Sequence, residues 1–331
     1  MKKKKSLLLS GLMLFAFAMV LTVGKPVQAK KVTQYVETSS KEYRYYIGKM
    51  KLAWKSSTKY DKAGHVIENS STDYYNSKKG KTNKYKYVYK KDLLQKSTVN
   101  GKLDVKYSYD KKGNLITSKQ YDKGKYRSTT TYSYKKGKLA SAVTKEGKRV
   151  TSEWTCYSNG NLKSRTIFWG DGSKLVQEYK RSGAYTEMQY DSQNRVISEG
   201  SYDSKGSGFT TDYRYDQDGN KTKSNYSTCK YTYKKGVMAT STYTSESYGD
   251  NGEVSYSNKN VNEYYTSGYR SGWPKTERRT ESDGTVTGTN YSYKKDSSGK
   301  NVAVQIGKDM TSKTTIFKIT YTYKKITTTV K

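Results

Sequence analysis

Tyrosine recurs at every second position in several stretches of this chain. Tyr85, Tyr87 and Tyr89 alternate with Lys86 and Val88, and Tyr107 and Tyr109 alternate with Lys106 and Ser108. Phe317, Ile319, Tyr321 and Tyr323 repeat the period. Successive side chains of a strand point to opposite faces, so each run predicts a strand with its aromatic residues on one face. Short turns separate the runs. In residues 107–115, YSYDKKGNL, Asp110 can accept hydrogen bonds from the turn backbone. Gly113 supplies the positive φ that closes a type I turn with a bulge, and Leu115 and Ile116 start the return strand.

The unit recurs at 60–64 (YDKAG), 132–137 (YSYKKG), 213–220 (YRYDQDGN) and 231–236 (YTYKKG), and at the pairs Tyr291/Tyr293 and Tyr321/Tyr323. Residues 154–162 (WTCYSNGNL) are a diverged copy. In 188–194 (MQYDSQN), Asn194 stands where glycine is usual, since asparagine tolerates the left-handed conformation. The predicted turn residues are Asp61, Gly64, Asp110, Gly113, Gly137, Gly160, Asp191, Asn194, Asp216, Gly219 and Gly236. Weaker turns are read at 121–124, 169–172 and 202–206. A turn every 10 to 15 residues or so is the spacing of serial short strands. The expected fold is all-β: serial antiparallel β-hairpin repeats forming one elongated, twisted meander sheet, with consecutive strands neighbouring in order and repeats stabilising each other. Residues 30 to about 50 read as a leading strand or cap, and 240–285 as less regular, with longer loops.

This pattern resembles the YD-repeat (Rhs-type) family of bacterial secreted and surface proteins over about residues 55–325, most closely at 107–115 and 213–220. Lys135, Lys234 and Lys294 stand where the family has aspartate, and no attached toxin domain is found. Long family members wrap a shell around a toxin, a role not carried over to so short a chain. Short hairpin repeats of the MORN-like kind are a second resemblance.

Composition alters the picture twice. Low aliphatic content with high net charge is the usual signature of disorder, but 36 regularly placed tyrosines among 331 residues oppose it. Too few aliphatic residues are present for one large core, which favours a thin, repetitive structure. The N-terminus runs Lys2 to Lys5, an apolar stretch Leu7 to Val23, then Gly24, Pro26 and the small-residue pattern at 27–29. That order is a secretory signal peptide cleaved after Ala29, leaving 30–331 as one repeat domain outside the membrane, released or non-covalently wall-associated. Removing the five leader lysines from a formal charge of +34 leaves +29, and only ten of the 63 basic residues are arginine. Lysine is a hydrated point charge, suited to diffuse attraction of a polyanion.

Candidate chemistry is sparse. His65, the one histidine, falls in a turn and reads as exposed decoration. Glu153, Glu178, Glu187 and Glu199 lie on predicted strands and could in principle supply a glycosidase pair, though nothing singles two of them out. No metal-ligand cluster, phosphate loop or serine elbow is found, and no cofactor is implied. Cys156 and Cys229 are read as buried thiols or as a bridge, and a bridge would require the sheet to coil back on itself. Trp54, Trp154, Trp169 and Trp273 are the candidate binding residues, as aromatic platforms for sugars. Trp169 beside a GDG turn and Trp273 beside Pro274 are the two expected to be exposed. These readings point to a secreted or envelope protein that binds anionic wall polymers or glycans without catalysis. The alternatives are a structural or adhesive module acting through sheet edges on a protein partner, and a carbohydrate-active enzyme. Export makes nucleic acid an unfavoured target, and the membrane is met only through the leader.

Overall fold

In a computed structural model of the protein, residues 30–46, 48–75 and 79–330 are described, and the leader read over 1–29 lies outside them. The strands are β1 (Lys30–Tyr46), β2 (Lys49–Tyr60), β3 (Val66–Asp73), β4 (Lys81–Lys90), β5 (Leu93–Val99), β6 (Lys102–Tyr109), β7 (Leu115–Asp122) and β8 (Lys125–Lys135). They continue as β9 (Lys138–Glu146), β10 (Arg149–Cys156), β11 (Leu162–Phe168), β12 (Lys174–Tyr179), β13 (Tyr185–Tyr190), β14 (Val196–Tyr202) and β15 (Gly208–Tyr215). The last are β16 (Lys221–Lys234), β17 (Val237–Tyr248), β18 (Val254–Tyr264), β19 (Pro274–Glu281), β20 (Val286–Lys295), β21 (Val302–Asp309) and β22 (Thr315–Val330). A 3-10 turn, Gly268–Arg270, is the only helical element among the described residues.

Every strand pairs antiparallel with the next, as the turn spacing predicts. The open, elongated sheet expected from the sequence is corrected at its ends. β22 pairs back onto β1, from Lys30 opposite Val330 to Arg44 opposite Phe317. The 22 strands therefore close into a barrel. An open meander leaves two rows of unpaired N–H and C=O groups at its edges, and closure satisfies both. β1 is thus the closing strand and not a cap. The 240–285 region holds long strands and one long loop. β17 and β18 run 12 and 11 residues, and the long loop 265–273 follows β18.

Two turn chemistries recur around the barrel. In the aspartate turns, Asp110 Oδ1 accepts from the backbone N–H of Lys112 (2.8 Å) and of Asn114 (2.9 Å), and Gly113 has φ +84°. Those hydrogen bonds hold the Asp110 carboxyl below its ordinary range, the Asn114 side-chain amide contributing most. Asn194 takes the glycine place at φ 63°. In the KKG turns, Lys136 and Gly137 both have positive φ (52° and 72°), as do Lys235 and Gly236 (51° and 76°). These are two-residue loops of the type I′ kind, which need no aspartate.

A bulge follows the turn in both kinds. Tyr109 lies opposite Leu115 but Ser108 lies opposite Thr117, so Ile116 is surplus. The same surplus residue occurs after Tyr60/Val66, Tyr134/Leu139, Tyr190/Val196 and Tyr233/Met238. Repeated bulges bend and twist the strands, as a closing sheet requires.

Among the described residues the buried apolar side chains are only Ala53, Ala142 and Val302. Tyrosine takes the place of a core. Tyr87 lies opposite Ser97, Tyr107 opposite Ser118 and Tyr132 opposite Ala142, and each small partner is buried. Facing side chains of a strand pair stand about 5 Å apart, so a large ring covers a small neighbour. On β12, β13 and β14 the rings stack instead, Tyr179 on Tyr185 at 5.0 Å and Tyr185 on Tyr202 at 4.5 Å.

Candidate functional site

The alternation that buries tyrosine also sets lysine outward. On β4, Tyr85, Tyr87 and Tyr89 are half-buried while Lys84, Lys86 and Lys90 are exposed. On β2, Lys49, Lys51, Lys55 and Lys59 are exposed in the same way. Acidic counterweights on this face are few. Glu68 bridges Lys59 and Lys84, each at 3.1 Å, and their hydrogen bonds hold its carboxyl below the usual range.

A second surface lies at a turn. Residues 169–173, WGDGS, carry tryptophan at the place aspartate holds in the repeat. The backbone closes as elsewhere: Trp169 N–H donates to Ser173 O (3.0 Å) and Gly172 has φ +91°. Asp171 accepts from Ser173 N–H at 2.9 Å. Trp169 thus gives up the aspartate cap, and the residue is 39% exposed. It borders a groove of about 340 Å³ with Arg149, Val150, Glu153 and Phe168. Arg149 lies over Gly170, its Nη1 3.0 Å from where a Cβ would stand, so a side chain at 170 would displace it. Arg149 donates to Glu146 at 2.7 Å, and Arg127 donates to the same carboxylate at 3.2 Å. These two donors hold the Glu146 carboxyl below its ordinary range. Nothing in the sequence singles out Arg149 or Gly170 except the WGDG turn itself.

The four tryptophans are not brought together. Trp54 is half-buried on β2, opposite Glu42 and Asp73. Trp154 is half-buried on β10 beneath the Arg165 guanidinium, 5.7 Å from its ring. Trp154 Nε1 and Arg165 Nε are both buried without a hydrogen-bond partner. Trp169 is exposed, as expected, but Trp273 is not. Its ring stands edge-on to Tyr293 (5.5 Å) and Tyr321 (5.4 Å) and is half-buried. The long 265–273 loop folds it back onto β20 and β22.

His65 is also no exposed ornament. It is half-buried, stacks on Tyr89 at 4.6 Å, and its Nδ1 lies 2.9 Å from Asp61 Oδ2. The four glutamates are dispersed. Glu187 accepts from Gln177 Nε2 at 2.7 Å and Glu199 from the Tyr213 hydroxyl. By register, Glu153 and Glu199 share one face while Glu187 lies on the other. Cys156 and Cys229 are free thiols on β10 and β16. Burial raises the Cys156 thiol, and Cys229 donates to Gly206 O at 3.2 Å. No group of three or more His, Cys, Asp or Glu that could hold a metal occurs among the described residues.

No family model and no curated protein matches the chain. Among solved structures it is similar to the crystal structure of TcdB2-TccC3, at 13% identity and TM-score 0.20, covering 80% of this chain. The chain spans only 20% of that protein's length. A porin-like protein from Bacteroides vulgatus ATCC 8482 is similar at 12% identity and TM-score 0.26, covering 87% of this chain and 99% of the other. A porin-like protein from Bacteroides uniformis ATCC 8492 is similar at 8% identity and TM-score 0.21, covering 87% and 96%. Likeness at this level assigns no function.

Proposed function

We propose that the protein is an exported, YD-repeat-like envelope protein that holds anionic wall polymers or glycans without catalysis. The observation that carries this reading is the alternation on β2 and β4, which turns lysine to solvent along whole strands with little acid to offset it. An excess of +29 beyond the leader is more than solubility needs, and it attracts a polyanion over a distance set by salt. The groove beside Trp169 adds an exposed indole and a guanidinium, a pairing suited to a sugar ring bearing an acidic group. The strands also suit a wall standing in water. The lysine face is charged, and the other carries Arg165, Gln177 and Glu187 directly opposite one another. At these strands the charged and polar residues interrupt the apolar band that a lipid-facing barrel carries.

A second reading, attachment to a protein through sheet edges, draws less support because β1 and β22 pair with each other. The test is sedimentation with purified cell walls across a salt series. Binding at low salt that falls steeply as salt rises is expected. Failure to sediment at any salt concentration overturns the reading.

A further inference from the structure

We propose that Lys96, Lys106 and Lys119 form a track for a linear, phosphate-bearing polymer. This rests on the polyanion reading above and gives it a site. Lys96 on β5 lies directly opposite Lys106 on β6, and Lys106 directly opposite Lys119 on β7. Directly opposed residues share a face, with Cβ atoms about 5 Å apart. All three side chains are exposed. The row continues through Thr129 on β8 to Lys145 on β9, which is also exposed. At its other end Val88 lies opposite Lys96, with exposed Lys86 and Lys90 two residues to either side.

Among the described residues, Lys96, Lys106 and Lys119 make no ion pair. Lysine does pair with acid elsewhere, Lys59 and Lys84 with Glu68 and Lys275 with Glu263. Asp104, the nearest acid in sequence to Lys106, bonds Ser97 Oγ at 2.9 Å, and Ser97 is buried opposite Tyr87 on the tyrosine face. Like charges directly opposite one another on a sheet oppose folding, and two such contacts in succession are a cost the fold bears without an internal return. A bound polyanion removes it.

The geometry selects the ligand class. The row crosses the strands in steps of about 5 Å, so a single small anion meets one or two ammonium groups while an extended chain of phosphates meets them all. Lysine, as a point charge on a flexible stem, accepts a phosphate chain of variable path.

The test compares purified protein with two variants of equal charge. One carries Lys96→Gln, Lys106→Gln and Lys119→Gln. The other carries Lys62→Gln, Lys111→Gln and Lys112→Gln, exposed turn lysines outside the row. The probes are linear inorganic polyphosphate, orthophosphate, duplex DNA and purified cell walls. The track variant is expected to lose at least about tenfold in affinity for polyphosphate, and its log–log salt slope to fall by about 2, three contacts fewer. The control variant is expected to lose less than about threefold, and orthophosphate to bind weakly to all three. Circular dichroism and melting temperature check that the track variant folds, and relief of repulsion should raise its melting temperature at low salt. Equal losses in both variants overturn the track while leaving the wider polyanion reading in place. Tighter binding to duplex DNA than to polyphosphate at equal phosphate concentration also overturns it. Absence of binding to both polyphosphate and walls by the unaltered protein overturns track and reading together.

Discussion

The Tyr134 hydroxyl donates to the backbone carbonyl of Leu115 at 3.1 Å, at the place where β7 and β8 have stopped pairing. The same contact joins Tyr109 to Leu94 (2.7 Å), Tyr215 to Val196 (2.9 Å) and Tyr293 to Pro274 (2.6 Å). In each pair the ladder between the two strands ends short of these residues. A carbonyl left without a ladder partner in a half-buried wall costs free energy, and the phenol supplies the missing donor. At these positions phenylalanine could not replace tyrosine without leaving that carbonyl unpaired. A ring alone would cover the small neighbours equally well.

Tyr109→Phe, Tyr134→Phe and Tyr293→Phe should therefore each cost about 1–2 kcal/mol in chemical denaturation. Tyr45→Phe, at a residue 48% exposed, should cost nothing measurable. Equal effects at all four positions would show that the hydroxyls bear no part of the fold.

Alkaline pH should unfold the barrel through the same residues. Burial, with smaller contributions from Tyr109 and Asp104, pushes the Tyr107 phenol up to about 12. Burial, with Tyr202 beside it, does the same at Tyr185, again to about 12. A phenol whose folded value lies above its unfolded value of about 10 favours folding while neutral. That stabilisation is complete below about pH 10 and lost as pH rises through about 12. Phenolate absorbance should lag behind that of the denatured chain over this window, then catch up in one cooperative step with the loss of strand signal. A titration identical to the denatured chain throughout would contradict it.

The β4–β5 turn should be improvable. Lys91 and Asp92 occupy positive φ, 50° and 61°, with neither residue a glycine. Left-handed backbone costs an L-residue about 1–2 kcal/mol. Replacing the pair by asparagine and glycine (Lys91→Asn, Asp92→Gly) should stabilise the protein by about 1 kcal/mol, read as a shift of the denaturation midpoint with unchanged slope.

The period-two runs and the D-x-x-G turns were enough to predict a serial antiparallel meander, because strand faces and positive-φ turns are local properties. Asp110, Gly113 and Asn194 do what their places in the pattern imply. What was not legible depends on distant chain. Nothing in residues 30–46 says that their partner is 315–330, since alternation fixes a face but not a neighbour. A bulge at the turn was foreseen from Gly113, but the surplus residue Ile116 on the return strand was not, because it leaves the spacing of the next strand intact. Trp273 reads as exposed beside Pro274, yet it is covered by Tyr293 and Tyr321 from later strands, which the path of the 265–273 loop brings against it. Trp169 was legible because its exposure is set within its own five-residue turn.

Closure is the claim on which the wall, its lysine face and its two satisfied ends all rest. It is tested by the distance between spin labels placed at Lys41 and Thr320, directly opposite residues of β1 and β22, in a background with Cys156 and Cys229 replaced by serine. The barrel predicts a short, narrow distribution centred below about 20 Å, since neighbouring strands are about 4.8 Å apart and the labels add their own reach. An extended open meander of the same strands would separate the two sites by about 100 Å, and a broad distribution at long distance would contradict the account.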